Sequence, residues 1–328
     1  MFSKKKVTLF LLIALEIVLG LLFLRIYYVN KFNSSVLGVS GIDKDSVIFT
    51  PEEELDSNDL FEDFKHYYVY RPNTSSYEEP EWLEYEAEYK FNSDGLKEIK
   101  DYPITKDPGV IRIATIGDSF TFGSYINTPD TWPKVLEKRL QESTNQCNFE
   151  VINFGAGGFD IPYLVKRYED VGKKYDSDFL LWFESIKGFT RLTEEIMEYN
   201  TTCKSESDDL DKLYDCWFKA QDMIHEKYTN DELRNYIQRY LDYFFQEVVS
   251  DEKIIFFMTE NNLSDDNRNS LDIWREEYAG LAVFDSGFGG LRQDQLLPDG
   301  HPSNIGHEVI AEYALSLIKN DPKTEYCF

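Results

Sequence analysis

The sequence predicts an α/β fold: a parallel five-stranded sheet with helices on both faces. Three observations predict it. From about residue 110 short apolar strands alternate with helical segments, the pattern of parallel strands joined by crossovers. The chain has 328 residues, 42% apolar and 16% aromatic, enough for one well-filled domain with extensions or at most two domains. The residue types that carry chemistry fall just after the carboxyl ends of the expected strands, where open parallel sheets collect ligands.

The elements follow in order. Lys4, Lys5 and Lys6 precede an apolar run over 7–26. About twenty residues at 1.5 Å rise cross a hydrocarbon core of about 30 Å. Residues 1–30 therefore read as a cytoplasmic tip and an uncleaved transmembrane signal anchor, interrupted only by Glu16, with the rest of the chain extracytoplasmic. Residues 31–106 read as a stalk and a small β-rich extension, in which 66–70 and 85–91 alternate like strands around the turn-rich 72–75 and suggest a hairpin. The third region, 107–328, holds the sheet. Its strands are expected at 110–116, 149–153, 179–183, 254–258 and 281–284. A helix capped near Asp130 carries Trp132, Val135, Leu136 and Leu140 at helical spacing, and another starts after Gly155-Ala156-Gly157-Gly158. A charged excursion over about 190–230 reads as a helical insertion, followed by a helix over 233–249 and a last one over 304–319.

The formal net charge of −26 repels phosphate backbones, so nucleic acid is excluded as a partner. No Cys-x-x-Cys occurs and the four histidines are scattered, so neither a metal site nor a cofactor is expected. Of the four cysteines, Cys203 and Cys216 bracket an acidic stretch that a disulfide would staple; free thiols are the alternative. Asn-x-Ser/Thr sequons stand at Asn33, Asn73, Asn200 and Asn262. Nothing in the sequence sets the oligomeric state.

The strand at 110–116 runs straight into Gly117-Asp118-Ser119-Phe120, and much later comes Asp299-Gly300-His301-Pro302 before the last helix. A serine hydroxyl is a weak nucleophile without a base to take its proton, and histidine is the usual base near neutral pH. His301 is the best candidate because it follows the last strand with Asp299 two residues before it, a carboxylate able to fix the imidazole's tautomer. The alternative for this segment is a turn that caps a helix. An oxyanion formed on attack needs preorganised donors: the Ser119 N–H is one, and the N–H of Gly158 is another, since glycine lets backbone approach a ligand closely. The glycine run alone also reads as a plain strand-to-helix turn.

These segments resemble the SGNH/GDSL hydrolase family. Gly117-Asp118-Ser119-Phe120 is similar to its nucleophile block, 153–158 to the block that donates an oxyanion N–H, and 299–307 to its acid–base block, over about two-thirds of the chain. The resemblance implies a flavodoxin-like three-layer α/β/α fold and serine-dependent hydrolysis or transfer of carboxylic esters. It implies an acyl ester substrate, such as short acyl groups on extracytoplasmic glycans. The family usually carries a Gly-x-Asn-Asp block after the third strand, whose asparagine is a further oxyanion donor. Here Trp182-Phe183-Glu184-Ser185-Ile186-Lys187 has no asparagine, and Ser185 or Lys187 is the expected substitute. Losing such a donor costs about 2.7–4 kcal/mol, which slows catalysis without forbidding it. The alternative is a weak or inactive domain that binds acylated glycan or an envelope partner. The flavodoxin-like strand order also places Cys147 and Cys327 together at the end of the domain away from the site, as a second disulfide.

Overall fold

In the computed structural model the described residues are 47–49, 60–185, 188, 190–204, 210–258 and 263–328. Five parallel strands form the central sheet: β5 (Val110–Ile116), β6 (Asn148–Asn153), β7 (Phe179–Glu184), β8 (Lys253–Met258) and β9 (Ala282–Asp285). Their order is β6-β5-β7-β8-β9, and every adjacent pair is parallel.

Side chains alternate between the two faces of these strands, as pleating requires. Ile113, Val151, Leu181 and Phe257 point to one face, where α2 (Trp132–Ser143) and α8 (Asn304–Lys319) bury Trp132, Leu136, Leu140, Ile310 and Ala314. Ala114, Ile152, Trp182 and Phe256 point to the other, under α3 (Ile161–Arg167) and α6 (Asn230–Tyr243). Caps set the helix starts. Asp160 and Ser303 accept N–H groups of Tyr163 and Gly306, and Thr229 with Glu232 forms a capping box at α6. α2 begins after Thr131, one residue beyond the expected cap, and its Trp132 N–H donates instead to His307 Nδ1 at 2.9 Å.

The insertion holds α4 (Thr193–Lys204) and α5 (Leu210–Lys227), joined by a Cys203–Cys216 disulfide with Cα atoms 5.9 Å apart. They enclose a separate apolar cluster of Leu192, Ile196, Met197, Trp217, Ala220 and Ile224. Cys147 is bonded to Cys327, Cα to Cα 5.5 Å, tying the chain after α2 to the chain after α8. Asn200 is fully buried, so that sequon is closed to modification in the folded chain, whereas Asn73 is exposed.

The N-terminal region departs from the hairpin read from sequence. β2 (Tyr68–Tyr70) pairs antiparallel with β1 (Val47–Phe49), and β3 (Ser75–Glu78) pairs with β4 (Ala87–Lys90). β3 lies in and just after the stretch expected to be a turn. Its inward residues are Ser76 and Glu78, so it lacks the apolar alternation that marks a strand. α7 (Asp265–Glu277), between β8 and β9, escaped notice for the same reason: only Ser270, Leu271 and Trp274 are buried along it. The single-pass anchor, with its membrane contact and extracytoplasmic localisation, finds no support among the described residues. Among the described residues no helix is long and apolar enough to cross a membrane. The longest described helix, α5 with 18 residues, carries Lys219, Asp222, Glu226 and Lys227. Segment 7–26 lies outside the described residues.

Candidate active site

The carboxyl end of β5 turns sharply at Gly117, where a Cβ would strike the Phe183 carbonyl and the Thr121 side chain. The turn delivers Ser119 to the first position of a one-turn helix, α1 (Ser119–Phe122). Asp118 caps that helix by accepting the Phe120 N–H at 3.0 Å, and Gly123 ends it in a left-handed conformation, φ 79°.

His301 reaches this turn from the long segment after the edge strand β9. Its Nε2 lies 2.9 Å from Ser119 Oγ, across 182 residues of sequence. Its Nδ1 lies 2.7 Å from Asp299 Oδ2, and Asp299 Oδ1 accepts the His301 backbone N–H at 3.1 Å. With the ring proton on Nδ1, donated to Asp299, Nε2 presents its lone pair to the Ser119 hydroxyl. The Asp299 side chain is 13% exposed and that of His301 24%, so the pair is shielded yet reachable by a ligand. Leu296 and Pro302 pair as an isolated bridge, and the Leu297 N–H donates to the His301 carbonyl at 2.7 Å, so this loop is fixed on both sides of the histidine.

Gly158 is half-buried with φ 74°, in the turn after β6. Neighbours hold that turn. Asn153 Oδ1 accepts the Gly155 N–H at 2.9 Å, Thr193 Oγ1 donates to the Gly158 carbonyl at 3.1 Å, and the Gly157 N–H donates to Tyr70 Oη at 3.1 Å. The Tyr68 hydroxyl donates to the Gly157 carbonyl. None of these tyrosines was singled out from the sequence as a site residue. They sit 87 and more positions away, and an aromatic in a short strand looks the same whether it fills a core or holds a loop.

Of the two expected substitutes for the missing asparagine, Lys187 lies outside the described residues. Ser185 is buried, and its hydroxyl donates to Asp118 Oδ2 at 2.5 Å. That proton is committed to the nucleophile's own turn. Arg191, also buried, holds Nη1 3.7 Å from the same carboxylate oxygen and donates to the Phe159 carbonyl at 3.2 Å. Behind them Glu184 is fully buried and accepts from Trp182 Nε1 at 3.1 Å. Burial, and then the neighbouring Asp118, push its carboxyl well above the usual range. Burial also raises Asp160 to about 6, against the hydrogen bonds it accepts from Thr193 and Tyr163.

His307 lies in the first turn of α8, outside the hydrogen-bonded line of Ser119, His301 and Asp299. It is fully buried, and burial, then the charges of Lys97 and His301, lower it to about 3. It is a neutral acceptor for the α2 terminus. His66 is likewise lowered, to about 4, by burial and Lys65, and packs beside Glu194. Among the described residues no group of three or more His, Cys, Asp or Glu side chains is arranged to hold a metal ion.

No protein-family profile matches the sequence, and no curated protein matches it. Solved structures do align with it at low identity. A lipase/acylhydrolase from Enterococcus faecalis is 15% identical, covering 64% of this chain and 95% of its own, with a TM-score of 0.42. Axe2, an acetylxylan esterase from Geobacillus stearothermophilus, is 17% identical, covering 63% of this chain and 93% of its own, with a TM-score of 0.38. A two-domain esterase active on acetylated mannans is 16% identical, covering 65% of this chain and 50% of its own, with a TM-score of 0.40.

Proposed function

We propose that this chain is a serine-dependent carboxylic-ester hydrolase or acyltransferase. One observation carries the reading: Ser119 Oγ, both ring nitrogens of His301 and Asp299 Oδ2 form a continuous hydrogen-bonded line, with separations of 2.9 and 2.7 Å. In the reaction, Ser119 Oγ bonds to the ester carbonyl carbon as its proton passes to His301 Nε2. The tetrahedral oxyanion is held by the N–H groups of Ser119 and Gly158. The ester C–O bond then breaks, the leaving alkoxide takes the proton from His301, and an acyl-serine remains. Water, or an acceptor alcohol in the transfer case, repeats the sequence and frees Ser119. Asp299 keeps the imidazole in the required tautomer and stabilises its cation.

Short acyl esters on glycans are the substrate class implied by the family that the motifs resemble. A second reading has one observation in its favour: the Ser185 hydroxyl is bound to Asp118, which leaves the third oxyanion donor unfilled by it. On that reading the domain binds an acylated glycan or a partner and turns over weakly. Hydrolysis of p-nitrophenyl acetate by the purified chain separates the two. Ser119→Ala is expected to lower kcat/KM by about a thousandfold or more and to abolish labelling by a fluorophosphonate, with the adduct mapped to the Ser119 peptide. A wild-type chain that neither hydrolyses the ester nor takes the label overturns the enzyme reading.

A further inference from the structure

The His301 imidazole lies against two aromatic rings. Phe120 belongs to the nucleophile helix and lies 5.6 Å away, centroid to centroid. Tyr125 lies 5.4 Å away and meets it edge to face at 74°. Tyr125 is unusual in its backbone. It is buried, and its φ is +64°, the left-handed region that glycine or asparagine ordinarily occupies. A bulky residue held there needs surroundings that over-determine it, and such outliers concentrate where geometry matters to function.

The surroundings come from the N-terminal β-rich region. The Tyr125 N–H donates to Tyr89 Oη at 2.5 Å, and the Tyr125 carbonyl accepts from the Tyr85 hydroxyl at 2.7 Å. The Tyr89 hydroxyl in turn donates to the buried Glu78 at 2.6 Å, which leaves its oxygen facing Tyr125. The buried Lys97 Nζ donates to the carbonyls of Gly123 and Ile126, at 2.7 and 2.8 Å, on either side of Tyr125. Trp82 packs against the Tyr125 ring at 4.8 Å. Both peptide groups of one strained residue are thus gripped by side chains more than twenty positions away, and the ring they aim rests on the candidate general base.

We infer that Tyr125 is a positioning residue for His301, and that the N-terminal β-rich region completes the active site by holding it. The inference rests on the function proposed above. Without the ring, the imidazole loses one of its two aromatic walls and the Nε2–Ser119 alignment loosens. Misplacement of a reacting group by about 1 Å costs about a hundredfold.

The test uses the whole chain and three variants. Tyr125→Gly removes the ring at a position where glycine is relaxed, Tyr125→Asn does the same if glycine loosens the loop, and Tyr125→Phe keeps the ring. The readouts are kcat and KM for p-nitrophenyl acetate and the ¹⁵N signals of the His301 imidazole, assigned by their loss in His301→Gln. The Gly and Asn variants are expected to fold, to lose about ten- to a hundredfold in kcat with KM within about twofold, and to show displaced or broadened His301 signals; Tyr125→Phe restores both. Wild-type kcat in Tyr125→Gly overturns the inference, as does a lowered kcat with unmoved His301 signals. If the wild-type chain shows no Ser119-dependent hydrolysis, the enzyme reading fails by itself. The imidazole signals then decide alone: unmoved signals in Tyr125→Gly refute the positioning, and displaced signals support it.

Discussion

Asp118 shows how much one residue of the nucleophile turn does besides standing next to the nucleophile. One carboxylate oxygen caps α1 at the Phe120 N–H, and the other accepts Ser185 and faces Arg191. The sequence hid the first role, because a one-turn helix is too short to show the periodic pattern that makes a preceding aspartate recognisable as a cap. It hid the second, because Ser185 and Arg191 meet Asp118 only through the sheet. The meeting of Ser119, Asp299 and His301 was readable for the opposite reason: Ser119 follows β5 directly, and Asp299 and His301 lie in the segment after β9, so the parallel order brings both segments to one rim. Tyr125 carried no signal at all, since a positive φ at tyrosine is imposed by tertiary contacts. His307 was placed by its position in the last helix, and its acceptor role yields a pH prediction. Its pKa is about 3 in the folded chain against 6.5 as its ordinary value. As pH falls the unfolded chain takes up this proton first, so stability is present above pH 6.5 and is lost toward pH 3. Between pH 7 and 5 the loss from this group is about 2 kcal/mol. Asp160 and Glu194, raised to about 6 and about 7, act with the opposite sign, stabilising at low pH and losing that contribution as pH rises through those values. Both remain in a His307→Gln variant, so they cancel in the comparison. Urea unfolding at the two pH values is expected to show a wild-type loss about 2 kcal/mol greater than the variant's; equal losses would mean that His307 protonates freely in the folded chain.

At the scale of elements, the readable ones were those whose burial follows a simple period. The inner strands β5, β7 and β8 of the central sheet are buried almost throughout, the edge strand β9 only partly so, and α2 and α8 carry apolar faces. β3 and α7 were not readable because their buried positions are largely polar or sparse. The helix expected over 233–249 starts three residues earlier, at its capping box, and ends in a wider turn over Phe244–Val248. Each disulfide ties neighbouring helices: one joins α4 to α5, the other the chain after α2 to the chain after α8. Cys147–Cys327 closes a loop of 180 residues between the end of α2 and the end of the chain after α8. A cross-link over so long a loop stabilises by about 2–5 kcal/mol, chiefly through the unfolded state. It lies at the end of these helices opposite His307, whose ring sits in the first turn of α8 near the nucleophile. The double variant Cys147→Ser, Cys327→Ser is therefore expected to unfold at lower urea while keeping the wild-type kcat in the folded baseline. A parallel loss of kcat would show that the bond shapes the site.

At the scale of the whole molecule, the β-rich region and the sheet share one core. Tyr68, Tyr70, Tyr89 and Phe91 lie in the same apolar cluster as Ala114, Ile152 and Trp182 of the sheet, with Phe122 stacked on Tyr70 at 5.0 Å. Polar links follow the same path. Lys134 donates to the buried Glu98 at 2.8 Å, and Glu98 accepts the Asn153 N–H at 2.7 Å, joining the extension to α2 and β6. Burying a large side chain is worth about 1.5–3 kcal/mol, while a domain's net stability is about 5–15 kcal/mol. Removing Tyr67, Tyr68, Tyr70, Tyr89 and Phe91 together thus takes away as much as the whole margin and leaves Lys134 without its most deeply buried carboxylate partner. A chain cut to 107–328, the region that carries the motifs, is expected to lose cooperative unfolding and to bind a hydrophobic dye, whereas a chain beginning at residue 47 unfolds in one sharp transition. Should 107–328 instead unfold cooperatively with Ser119-dependent esterase activity, the region before it would be an independent appendage, and the grip on Tyr125 would have no part in holding the site together.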